Sequence, residues 1–274
     1  MQIARSADLN GLAARIRHHS LTMTNTAKSS HIGSCLSMVD LLAVLYGSIL
    51  RLDPEQPDWP ERDRFILSKG HAAAALYATL AERGFFPIEM LGSFYQNGSR
   101  LAGHASRTVP GVEISTGSLG HGLPIAAGMA LAAKRTDEKH RIFVLLGDGE
   151  CNEGAIWEAA MFARQHRLDN LVVIVDLNGI QSLGSTKEIL DLAPFADKWR
   201  AFGWSVCETD GHNLRELEAR LSSLPFELGR PSCLIANTVK GKGIWFMEGK
   251  LLWHYRSPQG EEFAAALAEL EREA

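Results

Sequence analysis

The chain has 274 residues, 46% hydrophobic and 22% charged, the balance of an ordinary globular protein. A net charge of −4 and the lack of any Lys/Arg run argue against a nucleic-acid partner, and none is expected. Four scattered cysteines (Cys35, Cys151, Cys207, Cys233) without metal spacing read as reduced core thiols, which favours the cytoplasm; residues 1–20 lack a secretory core, and no apolar run approaches the roughly 18 residues of a membrane span.

In chain order, residues 9–28 read as a helix with His18 and His19 on its solvated face, and residues 38–50 as a buried helix. Pro54, Pro57 and Pro60 make 53–60 a surface loop. Residues 64–68 read as a strand running into Lys69-Gly70-His71 and an Ala-rich helix at 72–83. After an irregular stretch at 101–115, the Gly-rich turn 117–122 opens a small-residue helix to about 134. A strand from Ile142 ends in Gly147-Asp148-Gly149; an amphipathic helix follows, then a second apolar strand ending in Asp176-Leu177-Asn178. Further elements are a helix at 192–202, a strand at 205–207, a helix at 214–224, a strand at 233–239 and a charged helix at 260–274. The sequence contains no repeat, low-complexity tract or linker composition, so residues 1–274 are expected to form one domain. The alternation implies an α/β fold: a single doubly wound domain whose mostly parallel sheet is covered on both faces.

The two strand ends carry the chemistry. They deliver Asp148 and Asn178 to the carboxyl edge of the sheet, where open α/β folds bind ligands. Both offer hard oxygen ligands suited to Mg²⁺, which completes its shell with phosphate oxygens and water. Gly149, without a Cβ, lets the backbone approach a phosphate. Asp-Gly alone also marks ordinary turns, but a second oxygen ligand at the same edge is harder to explain that way. The residue pattern therefore points to a magnesium-bridged phosphate or diphosphate. The Gly117–Gly122 turn allows two readings, free N–H groups for an anion or close helix packing. His31, His71, His104 and His254 sit in Gly- or Ser-containing loops and suit a polar cleft that binds hydroxyls or shuttles protons. The nucleophile elbow, the P-loop and the dinucleotide fingerprint are absent, and Glu150 with Glu153 in one loop does not make a glycosidase pair.

At these residues the chain resembles the thiamine-diphosphate-binding half of a transketolase. Asp148 followed about thirty residues later by Asn178 is similar to the diphosphate–metal motif of thiamine-diphosphate enzymes. SSHIGSCLSMVDLL, DRFILSKGHAAAALY, LAGH, STGSLGHGLPIAAGMALAAK and TVKGKGIWFMEGKLLWH follow the transketolase order across residues 28–254. The resemblance implies that Asp148 and Asn178 bind Mg²⁺ by side chain and Ile180 by its carbonyl. It puts Gly149, His71 and His254 at the diphosphate, Gly117 and Leu119 along the cofactor, and His31 and His104 at the donor sugar's hydroxyls, with His71 and His254 also bordering the reaction centre. Glu153 matches a carboxylate at the subunit interface.

The family's activating glutamate belongs to a pyrimidine-binding domain that this sequence lacks. The resemblance is thus to the N-terminal subunit of a split transketolase, inactive alone and completed by a C-terminal pyrimidine-binding partner in an (αβ)₂ assembly. It implies transfer of a two-carbon ketol unit from a ketose or ketose phosphate to an aldehyde. The alternatives are the α subunit of a 2-oxo acid dehydrogenase or decarboxylase, and a non-catalytic cofactor-binding scaffold. Three departures bear on specificity: Ile32 replaces the usual Pro, His121 replaces the usual Gln, and Tyr255-Arg256-Ser257-Pro258 follows His254 in place of a small glycine-containing turn.

Overall fold

The computed structural model describes residues 8–273, and its frame is a five-stranded, wholly parallel sheet in the order β1-β2-β3-β7-β6. The strands are β1 (Arg64–Leu67), β2 (Ile142–Gly147), β3 (Leu171–Leu177), β6 (Ser205–Asp210) and β7 (Ser232–Asn237). A separate antiparallel pair, β4 (Ile180–Gln181) and β5 (Gly184–Ser185), stands just beyond the end of β3.

Strand periodicity explains why helices cover both faces. Ile142, Val144 and Leu146 of β2 join one core with Leu171, Val173 and Val175 of β3 and Cys233 and Ile235 of β7. The alternate residues Phe143, Leu145, Val172, Ile174, Leu234 and Ala236 join the other. Near-continuous apolar runs are what a parallel sheet buried on both sides requires. Helices α5 (Gly122–Arg135), α6 (Gly154–Gln165) and α8 (Phe195–Ala201) cover the first face. The second face takes α1 (Leu9–Ala27), α2 (Ile32–Leu36), α3 (Val39–Val44), α4 (Ala73–Glu82), α9 (Leu214–Ser222) and α11 (Glu261–Glu273). Two short helices, α7 (Thr186–Leu190) and α10 (Leu252–Tyr255), lie in the segments that follow β5 and β7.

The sequence-derived elements recur within a few residues, with instructive differences. The helix expected at 38–50 is α3 continued by a π turn over Leu45–Ile49. The short elements α2, β4, β5, α7 and α10 were not expected; each has five residues or fewer, too few for a periodic signal. His18 is exposed as expected, but His19 is half-buried and its ring bonds Glu82 Oε1 at 3.0 Å. Cys35, Cys151 and Cys233 are buried free thiols, whereas Cys207 is half-buried because it lies on the edge strand β6. No described helix is long and apolar enough to cross a membrane. The secretory-core reading at residues 1–7 and the final residue of the expected C-terminal helix, 274, lie outside the described residues.

One buried ionic cluster ties the amino ends of β1 and β2 together. Asp63 has no exposed surface; its carboxylate accepts from the backbone N–H of Arg51 (3.0 Å) and of Arg141 (2.9 Å) and from both guanidinium groups.

Candidate cofactor site

The carboxyl ends of β1, β2, β3 and β7 converge on a cavity of about 220 Å³. Asp148 and Asn178 lie one residue beyond the ends of β2 and β3, which the register Gly147–Asp176 makes neighbours. Each candidate oxygen donor is oriented by a backbone amide. Asp148 Oδ1 accepts from Gly149 N–H at 2.7 Å and Oδ2 from Gly179 N–H at 2.6 Å. Asn178 Oδ1 accepts from Ile180 N–H at 3.1 Å. Every one of these oxygens keeps a free lone pair.

A cation fits this donor set. Asp148 is 5% exposed, and burial followed by the neighbouring charge of Asp176 pushes its carboxyl up to about 6. A carboxylate held that high lacks full charge compensation, which a divalent ion would supply. The Ile180 carbonyl already attracts positive charge, since Lys240 Nζ donates to it at 2.9 Å.

Sequence reasoning missed two buried lysines. Lys69 donates to Ser34 O at 3.1 Å and pairs with Asp176, which also accepts from Ser37, Thr238 and Asn178. Lys240 is 2% exposed, and burial followed by the charge of Lys69 draws it down to about 8. Both line the cavity and give it the positive lining that a diphosphate needs. The available signal was Asp176, the sole charge within the apolar strand 171–177, because a buried carboxylate requires a partner.

The glycines resolve differently from one another. A Cβ on Gly149 would lie 2.7 Å from Gln181 Cβ, so the close approach of the β4–β5 pair itself requires glycine there. In the Gly-rich turn, Gly120 N–H donates to Glu150 Oε1 (3.0 Å) and Gly122 N–H to Ser68 Oγ (3.2 Å). Those two amides serve packing, while Gly117 and Leu119 line the cavity. A Cβ on Gly117 would come within 3.2 Å of the His104 ring. Glu150, 2% exposed, fastens this turn to β2 through Gly120, Ser68 and Gly147. Glu150→Ala would strand those donors and is expected to cost on the order of 3 kcal/mol, read by chemical denaturation. An unchanged midpoint would refute the fastening role.

His31, His71, His104 and His254, spread over the sequence, meet in one cluster. The His31 ring centroid lies 5.0 Å from those of His71 and His254 and 6.1 Å from that of His104. His31 heads α2 with φ 74°, and its N–H donates to His254 O at 3.0 Å, which locks α10 beside it. Burial, then the charge of His104, draws His31 down to about 4; burial, then Lys240, draws His254 down to about 3. His71 is also well below its ordinary value through burial and Lys69. All three rings are therefore neutral near pH 7. Lys240 Nζ donates to His254 Nδ1 at 3.0 Å, so the proton of His254 sits on Nε2. His31 Nδ1 is held by Ser30 Oγ at 3.0 Å.

Glu153 is exposed at the start of α6 and does not line the cavity. His121 is exposed and its Nδ1 bonds its own turn at Leu119 O, 3.0 Å. Ile32 is buried, and Tyr255 is exposed.

Residues 10–269 match the family described as the transketolase, thiamine diphosphate binding domain. The chain is 46% identical over 267 residues to the 6-deoxy-6-sulfo-D-fructose transketolase subunit SqwG of Clostridium sp. (strain MSTE9), covering 97% of each chain. It is 43% identical to an apulose-4-phosphate transketolase subunit of Phocaeicola vulgatus, covering 89% of this chain and 87% of that one. The transketolase of Leishmania mexicana superposes with a TM-score of 0.91 at 31% identity over 97% of this chain. This chain covers only 42% of that longer protein. The chain belongs to the transketolase family, as its thiamine diphosphate binding domain.

Proposed function

We propose that this chain is the cofactor-diphosphate-binding subunit of a two-component transketolase, moving a two-carbon ketol unit from a ketose or ketose phosphate to an aldehyde. The observation that carries the reading is the junction of the Asp148–Asn178 donor set and four imidazoles in one cavity. Relatives of matching length named as transketolase subunits support a separate partner. In this reading residues 1–274 form a single domain in the cytoplasm, and a pyrimidine-binding subunit completes the active site in an (αβ)₂ assembly. Without that partner the chain is inactive. Glu153, exposed outside the cavity, would face that junction.

Asp148 and Asn178 by side chain, and Ile180 by its carbonyl, would hold Mg²⁺. Gly149, His71, His254 and Lys240 would meet the diphosphate, with Gly117 and Leu119 along the cofactor. The cofactor supplies, when bound, the nucleophilic carbon and electron sink for carbon–carbon bond cleavage. His254 offers a proton at Nε2 to a substrate oxygen, fixed in that tautomer by Lys240. Neutral His31 and His71, with His104 beside them, exchange hydrogen bonds with the hydroxyls of the donor and need not bury a charge. Pyruvate has no hydroxyl to engage them, which favours ketoses over simple 2-oxo acids.

His31→Ala in the assembled enzyme is expected to lower kcat/KM for a ketose donor about 100-fold, with the cofactor Kd unmoved. Steady-state kinetics beside a cofactor titration check this; an unaltered kcat/KM would contradict the role.

A further inference from the structure

Lys240 reaches the cofactor cavity from the loop that follows β7, and a side chain outside that cavity holds this loop. Backbone carbonyls take the N–H groups of Thr238 (Leu177 O, 3.1 Å) and Gly241 (Gly33 O, 3.0 Å). The N–H of Val239, the residue before Lys240, donates instead to the imidazole Nε2 of His212 at 2.8 Å.

That bond fixes the tautomer. Because Nε2 accepts, the His212 proton sits on Nδ1 and is donated to Asp40 Oδ2 at 2.8 Å. Arg17 pairs with the same oxygen, so α1 anchors Asp40 and Asp40, on α3, orients the ring. All three side chains are 13% exposed or less. Gly211 brings the ring to Val239. Its N–H donates to Asn237 O at 2.8 Å, and a Cβ there would lie 2.4 Å from Thr238 Cγ2. Arg17, Asp40 and His212 do not line the cofactor cavity; they border a separate one of about 620 Å³.

We propose that His212 is a positioning residue for the reaction: through the Val239 amide it sets where the Lys240 ammonium stands. Lys240 Nζ reaches Ile180 O at 2.9 Å and His254 Nδ1 at 3.0 Å. A displacement of about 0.5 Å takes both contacts beyond the ordinary hydrogen-bond range. The inference rests on the reading that puts Lys240 at the diphosphate and makes it fix the proton of His254 on Nε2. Both functions then depend on an imidazole that touches neither cofactor nor substrate.

Two substitutions divide the roles of the two ring nitrogens. His212→Gln carries an oxygen to about the position of Nε2 and keeps an acceptor for Val239. His212→Asn carries an amide nitrogen to about the position of Nδ1 and keeps the donor to Asp40. The enzyme assembled with its partner is titrated with thiamine diphosphate at saturating Mg²⁺, and assayed with hydroxypyruvate as donor and ribose 5-phosphate as acceptor. His212→Asn is expected to raise the cofactor Kd and to lower kcat about tenfold each. His212→Gln is expected to hold both within about threefold. The reverse order, with His212→Gln impaired and His212→Asn spared, would make His212 a prop for Asp40 alone and overturn the inference. Unaltered values in both variants would overturn it, as would equal losses in both, the signature of a purely structural role. Absence of ketol transfer in the unsubstituted complex would overturn the ketol-transfer reading, while the order of the cofactor Kd values would still decide the role of His212.

Discussion

Asp148→Ala is expected to weaken metal-dependent thiamine diphosphate binding about 100-fold or more, beyond the usual cost of losing a residue that merely supports a metal ligand. Asp148 is the only charged side chain in the proposed donor set. Burial and Asp176 hold its carboxyl near 6, so its charge is poorly compensated until a cation arrives. Alanine also deprives the Gly149 and Gly179 amides of their acceptor, and that loss by itself disturbs the loop. Asp148→Asn separates the two effects in part, because its one amide oxygen still accepts from one of the two backbone amides while the charge is gone. Calorimetric titration of the assembled enzyme with thiamine diphosphate and Mg²⁺ should find both variants deficient, and chemical denaturation should find the alanine variant the less stable of the two. Full-strength binding by Asp148→Asn would remove Asp148 from the metal site.

The second large effect concerns stability. Asp63→Ala is expected to cost about 3–5 kcal/mol, because it leaves two guanidinium groups and two backbone amides without their shared acceptor. Burial pushes the Asp63 carboxyl up, but the hydrogen bonds and charge of Arg141 and Arg51 more than offset this and leave it below its ordinary value. With the folded pKa below the unfolded value of about 3.9, the contribution is fully present above roughly pH 4 and is lost as pH falls through the depressed value. Urea denaturation at pH 7 and near pH 3 checks both statements. A variant as stable as the unsubstituted chain at pH 7, or one whose deficit grows toward pH 3, would contradict the account.

The sheet was legible because its signals are long and redundant. Strands 142–147 and 171–177 are apolar at every position but Gly147 and Asp176, as burial on both faces demands, and helices of ten to nineteen residues separate them or flank them. Asp148 and Asn178 were legible for the same reason, since a strand end fixes which sheet edge a side chain occupies. Burial of lysine was not legible. Lys69 sits in a Ser-Lys-Gly-His turn and Lys240 between Val239 and Gly241, contexts that equally suit a solvated side chain. Only the tertiary approach of Asp176 to Lys69, and of His254 to Lys240, buries them. The same limit hid the purpose of Gly149, whose neighbour Gln181 lies thirty-two residues downstream on a two-residue strand. Convergence of the four histidines is likewise a long-range fact, and sequence spacing carries no trace of the 5.0 Å between His31 and His254.

The central claim, that this chain supplies half of a ketol-transferring site, is tested most directly by co-expressing it with the product of the adjacent gene. The chain alone and the purified complex are then assayed with thiamine diphosphate and Mg²⁺ on hydroxypyruvate or a ketose phosphate, and on pyruvate. The account predicts transfer from the ketol donors by the complex alone and none from pyruvate. Turnover of pyruvate in place of the ketol donors, or ketol transfer by the isolated chain, would contradict it.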